Sequence, residues 1–293
     1  MGQLLGAAQI REIAAAIGVV PTKKLGQNFV VDANTCRRIV KIAQVQPTDT
    51  ALEIGPGLGS LTLAMLEVAH KVVAVEIDER LATQLPLTVA TNGFDSAALV
   101  VQCEDAMTTT TLPIAPDVLV ANLPYNVSVP VLLRFLEKFP TLRSGVVMVQ
   151  SEVADRLVAK PGSKNYGSPS VKATWWADMS SAGGVARSIF WPVPNVDSSL
   201  VQFIRHEPAG SEEERLRVFE VIDAAFAKRS KMLRSALGEL FASRGQKAEE
   251  CIAAAGIDPT ARGEVLVLRE FMAIANTLTT ATGNKAPNSA NEN

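Results

Sequence analysis

The stretch "ALEIGPGLGSLTLAML", Ala51–Leu66, runs from an apolar strand through three glycines into an apolar-periodic helix. Gly55, Gly57 and Gly59 let the backbone turn sharply and let a ligand approach it closely. A dinucleotide fingerprint, G-x-G-x-x-G, would place its third glycine at position 60, which is Ser60. The glycine falls one residue early, and that speaks against a dinucleotide. A tight strand-to-helix turn without any ligand is the other reading of this loop.

Working outward, strand candidates alternate with helical segments: Thr50–Ile54, Val72–Glu76, Leu99–Gln102, Val118–Ala121 and Gly145–Gln150. Such alternation predicts an α/β fold of parallel βαβ units, with the sheet buried on both faces. Trp175–Val185 and Ser198–Ile204 are expected to add strands at one edge, and helices are expected over 8–17 and 34–43. Between those helices lies a basic, Gly-containing approach segment, Pro21–Asn28. "RHEPAGSEEERLR" (Arg205–Arg217) breaks the pattern with Pro, Gly and acids, and helices are then expected over Glu214–Phe226, Met232–Phe241, Ala248–Ala255 and Leu268–Leu278. The expected organisation is an α/β domain over 1–207, a small helical domain over 208–280 and a disordered polar tail over 281–293.

The chain has 293 residues, 47% of them hydrophobic, enough for a large core and a smaller companion domain. No apolar run approaches the ~20 residues that span a bilayer, and the N-terminus lacks the basic start and long apolar centre of a signal peptide. A soluble cytoplasmic protein is expected, with no membrane partner. Cys36, Cys103 and Cys251 are far apart in sequence, and His70 and His206 are the only histidines. That inventory argues against a metal site and against Ser-His or Cys-His catalysis. The net charge of −2 neither announces a nucleic-acid partner nor excludes one, since a local basic stripe suffices.

Two acids and an amide fall where the later strands end. Glu76 closes "VVAVE", 21 residues beyond Gly55, a spacing suited to accepting both hydroxyls of a ribose. A plain strand-end charge is the alternative. Asp105, in "CEDAM", can accept from an adenine amino group or simply cap a helix. The fourth strand, in "DVLVANLPYNVSVPVLL" (Asp117–Leu133), ends on Asn122-Leu123-Pro124-Tyr125, where Gly, Ser or Asp would be usual. An adenine amino group is a poor nucleophile because its lone pair is shared with the ring, so chemistry there calls for acceptors that hold the amino hydrogens. The Asn122 side-chain carbonyl and the Leu123 backbone carbonyl supply two; Pro124 has no N–H and stiffens the corner. Tyr125 offers a face for base stacking, worth ~1–3 kcal/mol. A Tyr packed into the core behind a Pro turn is the competing reading.

The glycine loop has the E-x-G-x-G-x-G form of methyltransferases that use S-adenosylmethionine. Taken together, the chain resembles the ribosomal RNA small-subunit (16S rRNA) adenine N6,N6-dimethyltransferases of the KsgA/RsmA type, over about residues 10–280. The resemblance is carried by "KLGQNFVVD" (Lys24–Asp32), "LEIGPGLGSLT" (Leu52–Thr62), "VEID" (Val75–Asp78) and "NLPYNVSVPVL" (Asn122–Leu132). It continues through "QSEVADRL" (Gln150–Leu157), "IFWPVPNVDSS" (Ile189–Ser199), "AFAKRSKMLRSAL" (Ala225–Leu237) and "GIDPTARGEVL" (Gly256–Leu266).

That resemblance implies a Rossmann-like S-adenosylmethionine-dependent methyltransferase sheet with a small C-terminal all-helical domain. It implies cofactor contacts from Asn28, Val30, Gly55, Glu76, Asp105 and Asn122, with Gly57 in the loop. Gln27 lies beside them in a segment that folds over the cofactor, and Glu53 stands near the sulfonium end. Phe190 matches a second wall of a base clamp opposite Tyr125, although the residues alone suggest a core aromatic before a Pro-rich turn. The implied reaction dimethylates N6 of two adjacent adenines in a hairpin loop near the 3′ end of small-subunit rRNA, within a 30S assembly intermediate. S-adenosylhomocysteine is the implied product. Departures at Ser151, Ser168, Pro169 and Ser230 bear on the RNA footprint rather than on the chemistry.

Lys228, Arg229, Lys231 and Arg234 form a cationic run with no acid between Phe226 and Ser235. Phe226, Leu233 and Leu237 are read as the buried side of the same helical segment. Four cations can meet phosphates and release counterions, or merely face water. The competing functions are a relative acting on large-subunit rRNA, a DNA adenine methyltransferase, whose motif is often D/N-P-P-Y, and a ribosome-assembly factor without catalysis. A monomer is expected.

Overall fold

The computed structural model describes residues 2–21 and 27–279. Lys23 and Lys24 of the approach segment, and the expected tail over 281–293, lie outside the described residues. The strands are β1 (Phe29–Val30), β2 (Thr50–Ile54), β3 (Lys71–Glu76), β4 (Leu99–Cys103), β5 (Val118–Asn122), β6 (Ser144–Gln150), β7 (Ala177–Val185), β8 (Phe190–Trp191) and β9 (Ser198–Arg205). Seven of them make one sheet in the order β4-β3-β2-β5-β6-β9-β7. The first five in that order pair parallel, and β9 runs antiparallel to both β6 and β7.

The sequence dictates this layering. Every residue of β2 is buried, and Val118–Ala121 and Gly145–Val149 are buried throughout. Apolar runs without alternation need cover on both faces, and each fully buried Val or Leu contributes about 1.5–3 kcal/mol. Gly145 is required by closeness: a Cβ there would stand 2.4 Å from the Leu119 carbonyl oxygen and 2.5 Å from the Phe203 ring. The helix after the Asn122 corner, Ser128–Lys138, buries Val131, Leu132, Phe135 and Leu136. Val129 and Leu133, at the same helical spacing, lie at the margin of the buried face.

Packing divides the chain into two units: up to Val158 with Trp176–Pro208, and Ala159–Trp175 with the chain from Ala209 onward. A single boundary near residue 208 therefore misassigns 159–175. Within the helical unit, the Tyr166 hydroxyl donates to Leu266 O (2.7 Å), its ring meets Phe226 edge-on, and Trp175 meets Phe219 likewise. These contacts join residues far apart in sequence and leave no local signature. The acidic run that broke the pattern is a helix start: Ser211 and Glu214 form a capping box for the helix Glu212–Ala227. The expected helix Met232–Phe241 is two short helices, Leu233–Ala236 and Gly238–Ala242.

Candidate active site at the carboxyl ends of the sheet

From β2 the chain steps outward to β3 and β4, then crosses back to β5 on the other side. Strand order reverses between β2 and β5, and open α/β sheets bind ligands at such a switch point, outside the carboxyl ends of the strands. A cavity of about 340 Å³ lies there. Its lining includes every cofactor candidate read from the sequence: Gln27, Asn28, Val30, Glu53, Gly55, Gly57, Glu76, Asp105 and Asn122. Leu123 and Pro124 line it too.

The glycine loop is held by a carboxylate. Glu76 is 5% exposed; one of its oxygens accepts from Gly57 N (3.1 Å), the other from Asp78 N (3.0 Å). Burial raises its pKa, and those two backbone N–H groups oppose the rise. Gly57 has φ +57°, and a Cβ on it would stand 2.9 Å from the Phe29 ring. The short strand β1 thus lies directly over the loop. Its anchors are antiparallel pairing with β8, in register Val30↔Phe190, and the Ser60 hydroxyl, which donates to Val30 O (2.6 Å). Ser60, the residue that broke the dinucleotide spacing, is therefore the pin for β1. Val30's carbonyl is occupied by that bond.

Asn122 is the last residue of β5. Its side-chain amide nitrogen donates to Asn28 O (3.2 Å), which leaves the side-chain carbonyl as the acceptor of this group. Asp105 accepts from Met107 N (2.8 Å) with one oxygen at the start of a turn rather than of a helix, and its second oxygen accepts no hydrogen bond among the described residues. Arg134 clamps the end of that loop by donating to Thr108 O and Thr109 O (2.9 Å each).

Glu53 is 2% exposed and accepts from the Thr62 hydroxyl. Burial, helped by the charge of Glu76, pushes its carboxyl up to about 8, against the Thr62 hydrogen bond. Burial also pushes the neighbouring Cys36 thiol up to about 12, so it stays neutral. It is no nucleophile.

Tyr125 and Phe190 are outside the cavity lining. The Tyr125 hydroxyl lies 3.1 Å from Ser198 Oγ, and its ring is half-buried. Phe190 is 2% exposed, packed in the core beside β1 as the plain sequence reading had it. Sequence reasoning missed Ile77, which lines the cavity yet is 65% exposed, and also Ala106 and Met107. An apolar residue directly after a strand-end acid was the available signal for Ile77.

Three of the four cations lie outside helices, and three of the four meet an acid. Lys228–Lys231 lie in turns after the helix ends at Ala227, so the expected single helical segment is corrected to a turn between two helices. Lys228 pairs with Glu239 (2.7 Å), Arg229 with Glu264 (2.8 Å) and Arg234 with Glu249 (3.0 Å). Lys231 makes no ion pair among the described residues. Ser168, one of the departures, donates to Asp223 (3.0 Å) within the helical unit, and Ser151 meets Ser199 (2.8 Å). Among the described residues no three His, Cys, Asp or Glu side chains converge to hold a metal, and no helix is long and apolar enough to cross a membrane.

Comparison with known proteins agrees with this geometry. Residues 21–280 match the family described as ribosomal RNA adenine dimethylase. A relative from Streptomyces griseus called ribosomal RNA small subunit methyltransferase A is 58% identical over 277 residues, covering 93% of this chain and 94% of its own. One of the same name from Leifsonia xyli is 56% identical, covering 93% and 98%. Among solved structures, a dimethyladenosine transferase from Plasmodium falciparum shares the fold at 23% identity, with a TM-score of 0.71 over 84% of this chain and 95% of that one. The 23S rRNA methyltransferase ErmE gives 0.62 at 25% identity, over 86% and 99%. With a Rossmann-like sheet, a strand-end cavity and this coverage, the chain belongs to the ribosomal RNA adenine dimethylase family.

Proposed function

We propose that the protein transfers methyl groups from S-adenosylmethionine to N6 of two adjacent adenines in a hairpin loop near the 3′ end of small-subunit rRNA. The product is N6,N6-dimethyladenosine, and the setting is small-subunit assembly in the cytoplasm, with the protein acting as a monomer on a 30S intermediate. One observation carries the reading. At the switch point, Asn122 is oriented by Asn28 so that its carbonyl is the available acceptor beside the glycine loop.

The cavity fits the cofactor on its own chemistry. Glu76 offers buried acceptor oxygens at ribose distance from the loop, Gly57 admits no side chain, and among the described residues five carboxyl-bearing residues line the wall with no Lys, Arg or His. When bound, the sulfonium supplies a methyl carbon already activated for in-line transfer. The chain then contributes position rather than acid–base chemistry. Asn122 and the Leu123 carbonyl hold the amino hydrogens of the target and turn its lone pair toward the methyl donor. Pro124 keeps the corner rigid, and the methylated amine gives its proton to water. Extruding the base costs stacking, which the half-buried Tyr125 ring replaces once the base is seated, while Phe190 stays in the core behind β1. The cations of the helical unit exchange their carboxylate partners for phosphate.

The test is transfer of a labelled methyl group to small ribosomal subunits lacking the modification, with digestion of the rRNA. Dimethyladenosine at two neighbouring positions near the 3′ end is the expected result. Transfer to large-subunit RNA instead would favour the ErmE-like activity. No transfer to either, with the cofactor still bound, would leave an assembly-binding role.

A further inference from the structure

Five carboxyl-bearing residues line the cavity, and four of them are locally compensated. Asp78 pairs with Arg80 (2.6 Å). Glu76 and Asp105 accept backbone N–H groups, and Glu104 accepts from the Gln102 amide and the Thr109 hydroxyl (3.1 Å). Glu53 differs. Among the described residues its carboxyl receives no N–H and no cation, only the Thr62 hydroxyl.

Each element packed on it offers the same poor company. From the helix Ser60–Leu66 comes Thr62, from β3 the Glu76 carboxylate, and from the helix Ala33–Ile42 the neutral Cys36 thiol. An ionised carboxylate in such a place is costly, and the group takes a proton instead. What reverses that preference is a positive charge placed in the cavity that Glu53 lines.

We infer that Glu53 is neutral in the free protein and ionises as the cationic methyl donor binds, so that the cavity holds the sulfonium donor in preference to its thioether product. The inference rests on the cofactor assignment proposed above. On binding, the carboxyl O–H bond breaks with its electron pair staying on Glu53, and the proton goes to solvent. After methyl transfer the sulfonium charge is gone, and Glu53 recovers a proton from solvent. Product binding is thereby weakened at the moment the product forms. Donor and product share an α-ammonium group, and only the donor has the sulfonium; the two cations are separable by experiment.

Below about 8, donor affinity rises with pH by up to about tenfold per unit, and it levels off above that value. Product affinity stays flat. The test is calorimetric titration of the wild-type protein with S-adenosylmethionine, S-adenosylhomocysteine and sinefungin, which carries an amine in place of the sulfonium. Running each in buffers of different ionisation enthalpy counts the protons released. Near pH 7, close to one proton is expected for the donor and for sinefungin, and none for the product. Glu53→Gln is expected to abolish the release and the pH dependence together. Thr62→Val removes the one hydrogen bond among the described residues that favours the ionised form, and is expected to move the affinity midpoint to higher pH.

Equal release with donor and product would assign the proton to the shared ammonium and overturn the inference. Release that survives Glu53→Gln would assign it to Glu76 and do the same. Saturable donor binding with no proton released sinks this inference alone. No saturable binding of any of the three, in a folded protein, sinks the cofactor assignment beneath it.

Discussion

The cavity wall and the cationic run are both clusters of like charge, and the fold treats them in opposite ways. In the cavity, Glu53 is fully buried beside a second carboxylate, with no cation among the described residues. In the helical unit, Lys228, Arg229 and Arg234 each keep about 40% of the side chain exposed and each meets an acid. Exposed pairs of this kind are worth about 0–1 kcal/mol and exchange readily. A buried charge without a partner costs several kcal/mol, so its presence has to be explained by a ligand or a proton. Burial without compensation is therefore the stronger pointer to function, and density of charge in the sequence is the weaker one.

The sharpest break of this contrast is at the cavity. Asn122→Ala removes the acceptor and leaves the loop and Glu76 intact. Methyl transfer is expected to fall by about 10²–10³-fold, the loss seen when one preorganised hydrogen-bond partner of a reacting group is removed. Cofactor affinity should stay within a few-fold, as measured by equilibrium titration. A near wild-type rate would remove Asn122 from the chemistry.

A second effect is on stability. The Glu53 carboxyl is raised from an ordinary 4.5 to about 8 in the folded protein, so between those values the folded state holds a proton that the unfolded state has lost. The stability this contributes is fully present below about 4.5 and declines as pH rises towards about 8. The decline is on the order of a few kcal/mol across the window. Thermal melts of the free protein from pH 5 to 8 should show it, and Glu53→Gln should flatten much of the slope. An equal slope in both proteins would mean that other groups set it.

Much of this was legible beforehand. Thr50–Ile54 was readable as a strand because a parallel strand buried on both faces is simply an apolar run between breakers. Glu76, Asp105 and Asn122 were readable because each ends a strand or lies within two residues of its end, and the topology brings those ends together. What was not legible depended on contacts between distant residues. Nothing near Tyr166 announces that its hydroxyl goes to Leu266, 100 residues on, and so 159–175 was left with the wrong unit. The acids that neutralise Lys228, Arg229 and Arg234 lie 11 to 35 residues away, outside the window in which the run looked purely basic. Glu53 was placed by resemblance, but that the Thr62 hydroxyl is its one hydrogen-bond donor among the described residues is visible only with its three neighbours in position.

The helical unit offers a smaller effect that sharpens the comparison from its weaker side. Lys231→Ala removes a cation with no ion pair among the described residues, and each lost phosphate contact lowers the salt slope of RNA binding by about one. Arg234→Ala also frees Glu249, which then repels phosphate. Glu249→Gln should therefore tighten RNA binding modestly, about two- to threefold at low salt, because it releases Arg234 from its pair. Binding isotherms at several salt concentrations decide it. If Glu249→Gln has no effect while Lys231→Ala does, the ion pairs already open on contact and impose no cost.

The smallest expected effect concerns how Tyr125 is held. Its hydroxyl meets Ser198 Oγ at 3.1 Å, on the antiparallel strand β9, while its ring follows the Asn122 corner. If stacking is the ring's contribution, the face is what matters and the hydroxyl only aims it. Tyr125→Phe keeps the face and loses one hydrogen bond of about 0.5–1.5 kcal/mol, so methyl transfer should drop only a few-fold. Tyr125→Ala loses the face as well, and stacking of ~1–3 kcal/mol predicts a larger fall, expressed in the affinity for RNA together with the rate. Ser198→Ala removes the hydroxyl's partner without touching the ring. It should reproduce Tyr125→Phe, and the two changes combined should be no worse than either alone, because both delete the same bond. Additive losses would mean that the hydroxyl serves the substrate directly, and Tyr125 would then belong with Asn122 among the groups that touch the reacting base.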